Sequence, residues 1–348
     1  MTERGPRLRS SDVPAANPVE ASIRRFDDFQ RRHPLLALPI GVIRKYADDN
    51  GGILAALLTY YAFLSIFPFL LLAVTVLGFF LGEPDARSQL ATFLSEFPVV
   101  GERLVENIQA IQARGLGLAL GLIGTTWGSL GVLQAAQYAM AEIGDSPRVD
   151  RPNPFRRLGR SLFLTLAGLV TLLVVVWLIG RGMSAPRLDV STAGEFLVSV
   201  ALTTAVIAFG YRVLAPGEPT FSRLWRGALT AGIAWTMLVG IGTYLATNQL
   251  RRASDLYGFF GVIIGLVAWM ALASNFFVIG AEVNIVRERR LWPRTLLQPP
   301  IVDADETVLT SQVMKERRRP EQQISVEYSE PQRTEGRGDD EGRPNDIA

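Results

Sequence analysis

The chain has 348 residues, of which 49% are hydrophobic and 20% charged, with no cysteine and one histidine, His33. Disulfides and thiolate chemistry are excluded, and a single histidine cannot build the His/Asp ligand clusters of metallohydrolase nucleases. The formal net charge of +2 hides a split, because twelve acids face seven bases from Ile301 onward and the rest of the chain is basic.

Basic excess around an apolar middle belongs beside anionic headgroups. No basic stripe is interleaved with exposed aromatics, so nucleic acid is not an expected partner. Only two lysines, Lys45 and Lys315, stand among the arginines, which reads as composition bias with no function attached.

Residues 1–20, with Pro6, Pro14 and Pro18, read as a disordered arm without the apolar core of a signal peptide. Residues 21–295 form the expected membrane domain. It opens with a short amphipathic helix from Ala21 to Arg32, with Ile23, Phe26 and Phe29 on one side, interrupted by Pro34 and Pro39. The stretch from Ile40 to Tyr46 would turn Ile40, Val42, Ile43 and Tyr46 toward lipid and Arg44 and Lys45 toward headgroups. It serves either as a lead-in to the first span or as a gating helix.

Six apolar stretches are long enough to cross a bilayer, at about 53–81, 115–140, 161–180, 193–214, 228–246 and 257–281. The first contains Pro68, which predicts a kink near Leu64. Tyr61, Ser65 and Pro68 share a face suited either to a cleft or to neighbouring helices. Residues 82–114 read as two short amphipathic helices on the outer side. In the second span Gly117/Gly121 and Gly124/Gly128 are small-residue pairs that permit close helix approach. Thr126 and Gln137 align there, flanked by Ser129 and Gln134, as a polar stripe directed at protein or water. The loop after it carries Arg148, Arg151, Arg156, Arg157 and Arg160 among prolines, read as a topogenic loop with headgroup contact as the alternative. The third span has few polar groups and is expected at the periphery.

In the sixth span Gly258, Gly261, Gly265, Ala268, Asn275 and Glu282 fall in one sector, with Val262, Leu266 and Phe277 opposite. The first sector is expected to meet other helices and the second lipid. Glu282 either lines a cleft or caps charge at the interface. Sixteen basic residues flank one side of these spans and seven the other, which puts both termini in the cytoplasm. Residues 296–348 read as a disordered cytoplasmic tail, with a docking role for a protein partner as the alternative.

Four stretches carry a family resemblance. They are L-Y-G at 256–258 with G-A-E-V-N at 280–284, N-G-G-I-L-A-A-L-L-T-Y-Y-A-F-L-S-I-F-P at 50–68, W-G-S-L-G-V-L-Q-A-A-Q-Y-A-M at 127–140, and R-P-N-P-F-R-R-L-G-R at 151–160. Together they resemble the BrkB/YihY family of bacterial inner-membrane proteins over roughly residues 35–290. The resemblance implies an all-α, multi-pass plasma-membrane bundle of six helices. It also brings Tyr257, Gly258, Glu282 and Asn284 forward as family positions. It implies no settled activity, although such proteins have carried a ribonuclease label.

A nuclease is disfavoured by His33 alone, and no Walker A or G-x-S-x-G sequence occurs. No enzyme activity, cofactor or metal is therefore expected. Two readings remain. One is a permease or translocator of lipid or envelope components, its cleft lined from spans one, two and six. The other is a non-transporting envelope scaffold. Membrane lipids are the expected partners, with homo-oligomerisation left open.

Overall fold

The computed structural model describes residues 14–81, 114–180, 192–217, 219–245, 251–299 and 301–328. Every regular element among them is helical. In chain order these are α1 (Pro18–Arg32), α2 (Pro34–Asp48), α3 (Gly51–Leu81), α4 (Arg114–Ile143), α5 (Pro154–Gly180), α6 (Thr192–Leu214), α7 (Phe221–Leu245), α8 (Arg251–Arg289) and α9 (Asp303–Met314). Three stretches of described residues are long and apolar enough to cross a membrane: Phe196–Leu214, Phe221–Gly242 and Ile263–Arg289.

The helices outrun the apolar stretches that announce them, because a helix does not stop where hydrophobicity does. Helix α5 starts at Pro154, seven residues before its apolar run. Proline is favoured at a first helical position, and the Asn153 side chain accepts the Arg156 N–H at 2.8 Å. Helix α3 continues through Pro68 without a break.

Two glycine-lined seams are prominent among the described residues. In the first, α4 lies on α3 through a ridge of glycines. Cβ atoms placed on Gly121, Gly124, Gly128 and Gly131 would fall within 2.5–2.9 Å of Leu72, Pro68, Ser65 and Tyr61 respectively. In the second, α7 crosses α8 where a Cβ on Gly227 would come within 1.9 Å of the Gly280 carbonyl oxygen. No side chain fits there, so backbones touch, as expected where lipid supplies no hydrophobic drive and contact is won by close packing. The Tyr211 hydroxyl of α6 reaches the same crossing and donates to the Phe277 carbonyl at 2.6 Å. The outward faces are apolar and exposed, with Leu162, Phe163 and Leu166 on α5, Leu197, Leu202 and Val206 on α6, and Ile264 and Leu272 on α8.

Helix α1 is turned opposite to a soluble amphipathic helix. Its polar residues Arg24, Asp27 and Gln30 are buried, while Ile23, Phe26 and Phe29 are exposed. The buried polar face bonds to the chain after α8. Gln30 Nε2 donates to the Arg294 carbonyl at 2.8 Å, the Leu296 N–H to Asp27 at 3.0 Å, and Arg24 to the Pro299 carbonyl at 2.8 Å. An apolar face left outward at the edge of a bundle suits a helix lying in a headgroup layer. His33 separates α1 from α2, and Pro34 opens α2; Pro39 lies inside α2 and does not end it.

Three expectations change. The tail is not devoid of structure, because α9 docks: Val308 joins a buried cluster with Val42, Val286 and Leu291, and Asp305 is fully buried against Arg294. Lys45 does not reach headgroups but is fully buried, and Val42 is buried with it. On α8, Leu266 faces protein at 7% exposure while Ala268 is exposed, so the lipid side is rotated from the one read in the sequence. The proposed outer helices at 82–114, apart from Arg114 which opens α4, residues 1–13 of the arm and residues 329–348 lie outside the described residues.

Candidate functional site

The last turn of α2 and the turn after it begin the site. Lys45 and Asp49 are one turn apart and form an ion pair in which both side chains are fully buried. Asn50 then adopts a left-handed conformation (φ 55°), and Gly51 follows over the face of Tyr46, where a Cβ would lie 2.4 Å from the ring. That is the structural use of the N-G-G motif: it reverses the chain tightly enough to keep Lys45, Tyr46 and Asp49 against α8. Tyr46 donates to Asn275 Oδ1 at 2.5 Å, and Asn275 donates in turn to the Ala271 carbonyl at 2.7 Å.

From the end of α4 comes Asp145, also in a left-handed turn (φ 45°) and buried. Its Oδ2 lies 3.2 Å from Lys45 Nζ and accepts from Arg289 at 3.0 Å and Ser311 at 2.9 Å. Lys45 also donates to the Ile143 carbonyl at 3.2 Å. From α8 comes Glu282, with no exposed surface and no hydrogen-bond donor on either carboxylate oxygen among the described residues.

An outer ring surrounds this centre. Lys315, just past α9, lies 3.1 Å from Glu142 and 4.0 Å from Asp49, and Arg151 lies 3.0 Å from Glu142. Burial alone would lower the Lys45 ammonium, but the carboxylates of Glu282, Asp49 and Asp145 outweigh it and hold its pKa above the ordinary value. Burial pushes the Asp49 carboxyl up; Lys45 opposes this and Asp145 reinforces it.

Only some of the residues singled out in the sequence meet here. Glu282 is at the centre, and Asn275 holds Tyr46 beside it. Asn284 serves the α7–α8 crossing, accepting the Gly227 N–H at 2.7 Å. Tyr61, Ser65 and Pro68 are the surface on which Gly131, Gly128 and Gly124 close, so that face of α3 is a helix contact rather than an open cleft. The stripe on α4 is spent on α5: Gln137 donates to Ser161 Oγ at 2.8 Å, and Ser129 shares a hydrogen bond with Thr165 at 3.1 Å. Thr126 accepts from Ser129 through its backbone carbonyl at 3.1 Å, and Gln134 is exposed. The surroundings of Gly117, Tyr257, Gly258 and Gly261 lie outside the described residues, and Gly265 is half-buried in α8.

Of the loop arginines, Arg151 is tied to Glu142, and Arg148 pairs with Glu316 at 3.1 Å. Arg156 is exposed, and Arg157 offers its carbonyl to Gln137 at 3.3 Å. Arg160 is half-buried. Sequence reasoning passed over Asp49 and Asp145, which sit in turns, and treated Lys45 as peripheral. One signal was available: the two lysines among 35 basic residues both belong to this cluster.

A family model described as Virulence factor BrkB matches residues 42–300. The ribonuclease-like protein YfkH of Bacillus subtilis (strain 168) is 26% identical over 262 residues, which cover 71% of this chain and 93% of that protein. No solved structure matches. The matched region takes in Lys45, Asp49, Asp145 and Glu282, whereas α9 and Lys315 lie beyond it. Apolar helices closed by glycine seams and a G-A-E-V-N run seated at the α7–α8 crossing thus accompany a match across most of the chain, which belongs to the Virulence factor BrkB family of membrane proteins.

Proposed function

We propose that this protein is a six-span plasma-membrane permease, or a translocator of lipid or envelope components, with both termini in the cytoplasm. The observation that carries the reading is Glu282, wholly buried at one end of the longest helix, without a donor and beside a second buried acid. A scaffold gains nothing from an unsatisfied carboxylate inside a membrane bundle, whereas ionisable groups in such places mark substrate and ion pathways. The topology is supported by convergence at one end. There α1, α2, the α4–α5 turn and the chain after α8 meet, through contacts such as Arg148 with Glu316 and Gln30 with Arg294. The excess of arginine on the same segments supports a cytoplasmic position for that end.

A ribonuclease reading rests on the relative's name. The single histidine of this sequence argues against the metal-dependent form, and we hold the protein to be a non-enzyme. Reconstitution into vesicles carrying fluorescent lipids in one leaflet tests the proposal. Transbilayer movement should exceed that of empty vesicles and fall at least about tenfold in Glu282→Ala, equivalent to about 1.4 kcal/mol in the barrier. No movement above empty vesicles for lipids and envelope precursors alike would sink it. Cleavage of RNA by the same preparation, lost in the same variant, would revive the relative's label.

A further inference from the structure

The inner end of the charge cluster is short of hydrogen-bond donors. The Lys45 ammonium donates to Asp49 Oδ2 and to the Ile143 carbonyl at 3.2 Å and is ion-paired with Asp145 Oδ2 at 3.2 Å, and neither Glu282 oxygen receives a hydrogen bond among the described residues. Asp49 Oδ1 is likewise buried without a donor. Yet the Asp49 and Glu282 carboxyls are buried together around Lys45 and interact with one another. Two ionised carboxylates are acceptors only, so their contact becomes a hydrogen bond only when one of them is protonated. Like charges this close in a buried site share a proton rather than ionise together.

We propose that Asp49 and Glu282 form a proton-binding site, holding one exchangeable proton between them. The groups around it explain why a proton is the ligand. On the far side, the α4–α5 turn presents Asp145, and α8 itself presents Arg289, which is 3.0 Å from that acid. At the rim Glu142 has both Lys315 and Arg151. Each outer acid thus has its own cation, while the inner ones have Lys45, with Lys315 only at the 4.0 Å edge of Asp49. Tyr46, the other titratable group of α2 here, already donates to Asn275. The place a metal cation would take is filled by the ammonium, leaving the proton as the cation that completes the site.

The choice of lysine fits this account. The chain uses arginine 33 times and lysine twice, and both lysines are here, one at the centre and one at the rim. A compact ammonium sits among three acceptors where a planar guanidinium would not. Ser311 and Lys315 cover the cluster from the tail, so a proton leaving toward that end must pass them. The inference does not rest on the transport reading, since it concerns the protein at rest; if substrate does move, this is the proton it would exchange.

Infrared spectra of the purified full-length protein at neutral pH test it. A protonated-carboxyl carbonyl band should be present, should shift in deuterium oxide, and should be lost in Glu282→Gln. It should also be lost or displaced in Asp49→Asn, and unchanged in Glu316→Gln at the exposed surface. Glutamine carries the donor that a protonated glutamate would, so Glu282→Gln should fold; should it not, Asp49→Asn decides. A wild-type spectrum without such a band, or a band that Asp49→Asn leaves unaltered, overturns the proposal whether or not any transport is found.

Discussion

Where α7 crosses α8, Gly227 and Gly280 bring two backbones into direct contact. Where α2 meets the same α8, Lys45, Asp49 and Glu282 are buried together. The first contact works by volume: apolar side chains gain little by leaving lipid for protein, so only close approach favours association. The second works by charge, and it is stable only while each buried ion has a partner. One helix therefore carries two kinds of adhesion, and they should fail in different ways.

The charged end should fail hardest. Lys45→Met removes the fully buried ammonium from among three buried acids and should cost about 3–5 kcal/mol, the usual loss when one partner of a buried pair is deleted. Thermal unfolding in detergent would register it, and adding Glu282→Gln should recover part of the loss. A Lys45→Met protein as stable as wild type would mean that the cluster is not held by its charges.

The crossing should fail by overpacking. Gly227→Ala must push apart backbones that a Cβ would approach to 1.9 Å, at about 1–3 kcal/mol. The same substitution at Gly168, where nothing lies within 4 Å, should be neutral or mildly stabilising, since alanine is the better helix former. Equal effects at the two glycines would remove the distinction between seam and lipid face.

These contrasts also mark what could be read from the residues alone. Long apolar runs announce spans, and the spacing of Gly121, Gly124 and Gly128 announces a seam, because both signals are local. The burial of Lys45 was not legible. Its own helix looks interfacial, and the acids that surround it come from Asp145 and Glu282, about 100 and 237 positions away in the numbering. The tail shows the same limit. Its composition cannot support a core alone, yet Val308 and Asp305 need none, because Val286, Leu291 and Arg294 supply one. Truncation after Pro299 should therefore lower stability by about 1–3 kcal/mol, through loss of buried partners for Arg294 and Asp145. An unchanged melting profile would return the tail to the status of a passive extension.

A milder probe is pH. The Asp49 carboxyl is raised in the folded protein, so its contribution to stability is fully present below the unfolded value and is lost as pH rises through the folded one. Lys45 is raised as well, so its contribution persists through neutrality and is lost only in strong alkali. Both favour the acid side. Moving from about pH 7 toward about pH 5 should hold or raise the melting temperature, and Asp49→Asn should flatten that response. A drop on mild acidification, abolished by Asp49→Asn, would reverse the sign assigned to this carboxyl.

The smallest effect separates protein from lipid along α8. Leu266 is 7% exposed and Leu272 46% exposed, less than two turns apart. Truncating Leu266 leaves a cavity that rigid neighbours fill poorly, and Leu266→Ala should cost about 2 kcal/mol or more. Truncating Leu272 leaves a groove that a mobile acyl chain can enter, so Leu272→Ala should stay within about 0.5 kcal/mol. The difference should shrink in a short-chain detergent that packs the outer face poorly and grow in bilayer nanodiscs. If Leu272→Ala proved as costly as Leu266→Ala in both, the outer face of α8 would be covered by protein. A second copy of the chain would then be the first candidate, and crosslinking through a cysteine placed at Leu272 would reveal it, since the chain has no other cysteine to confuse the result.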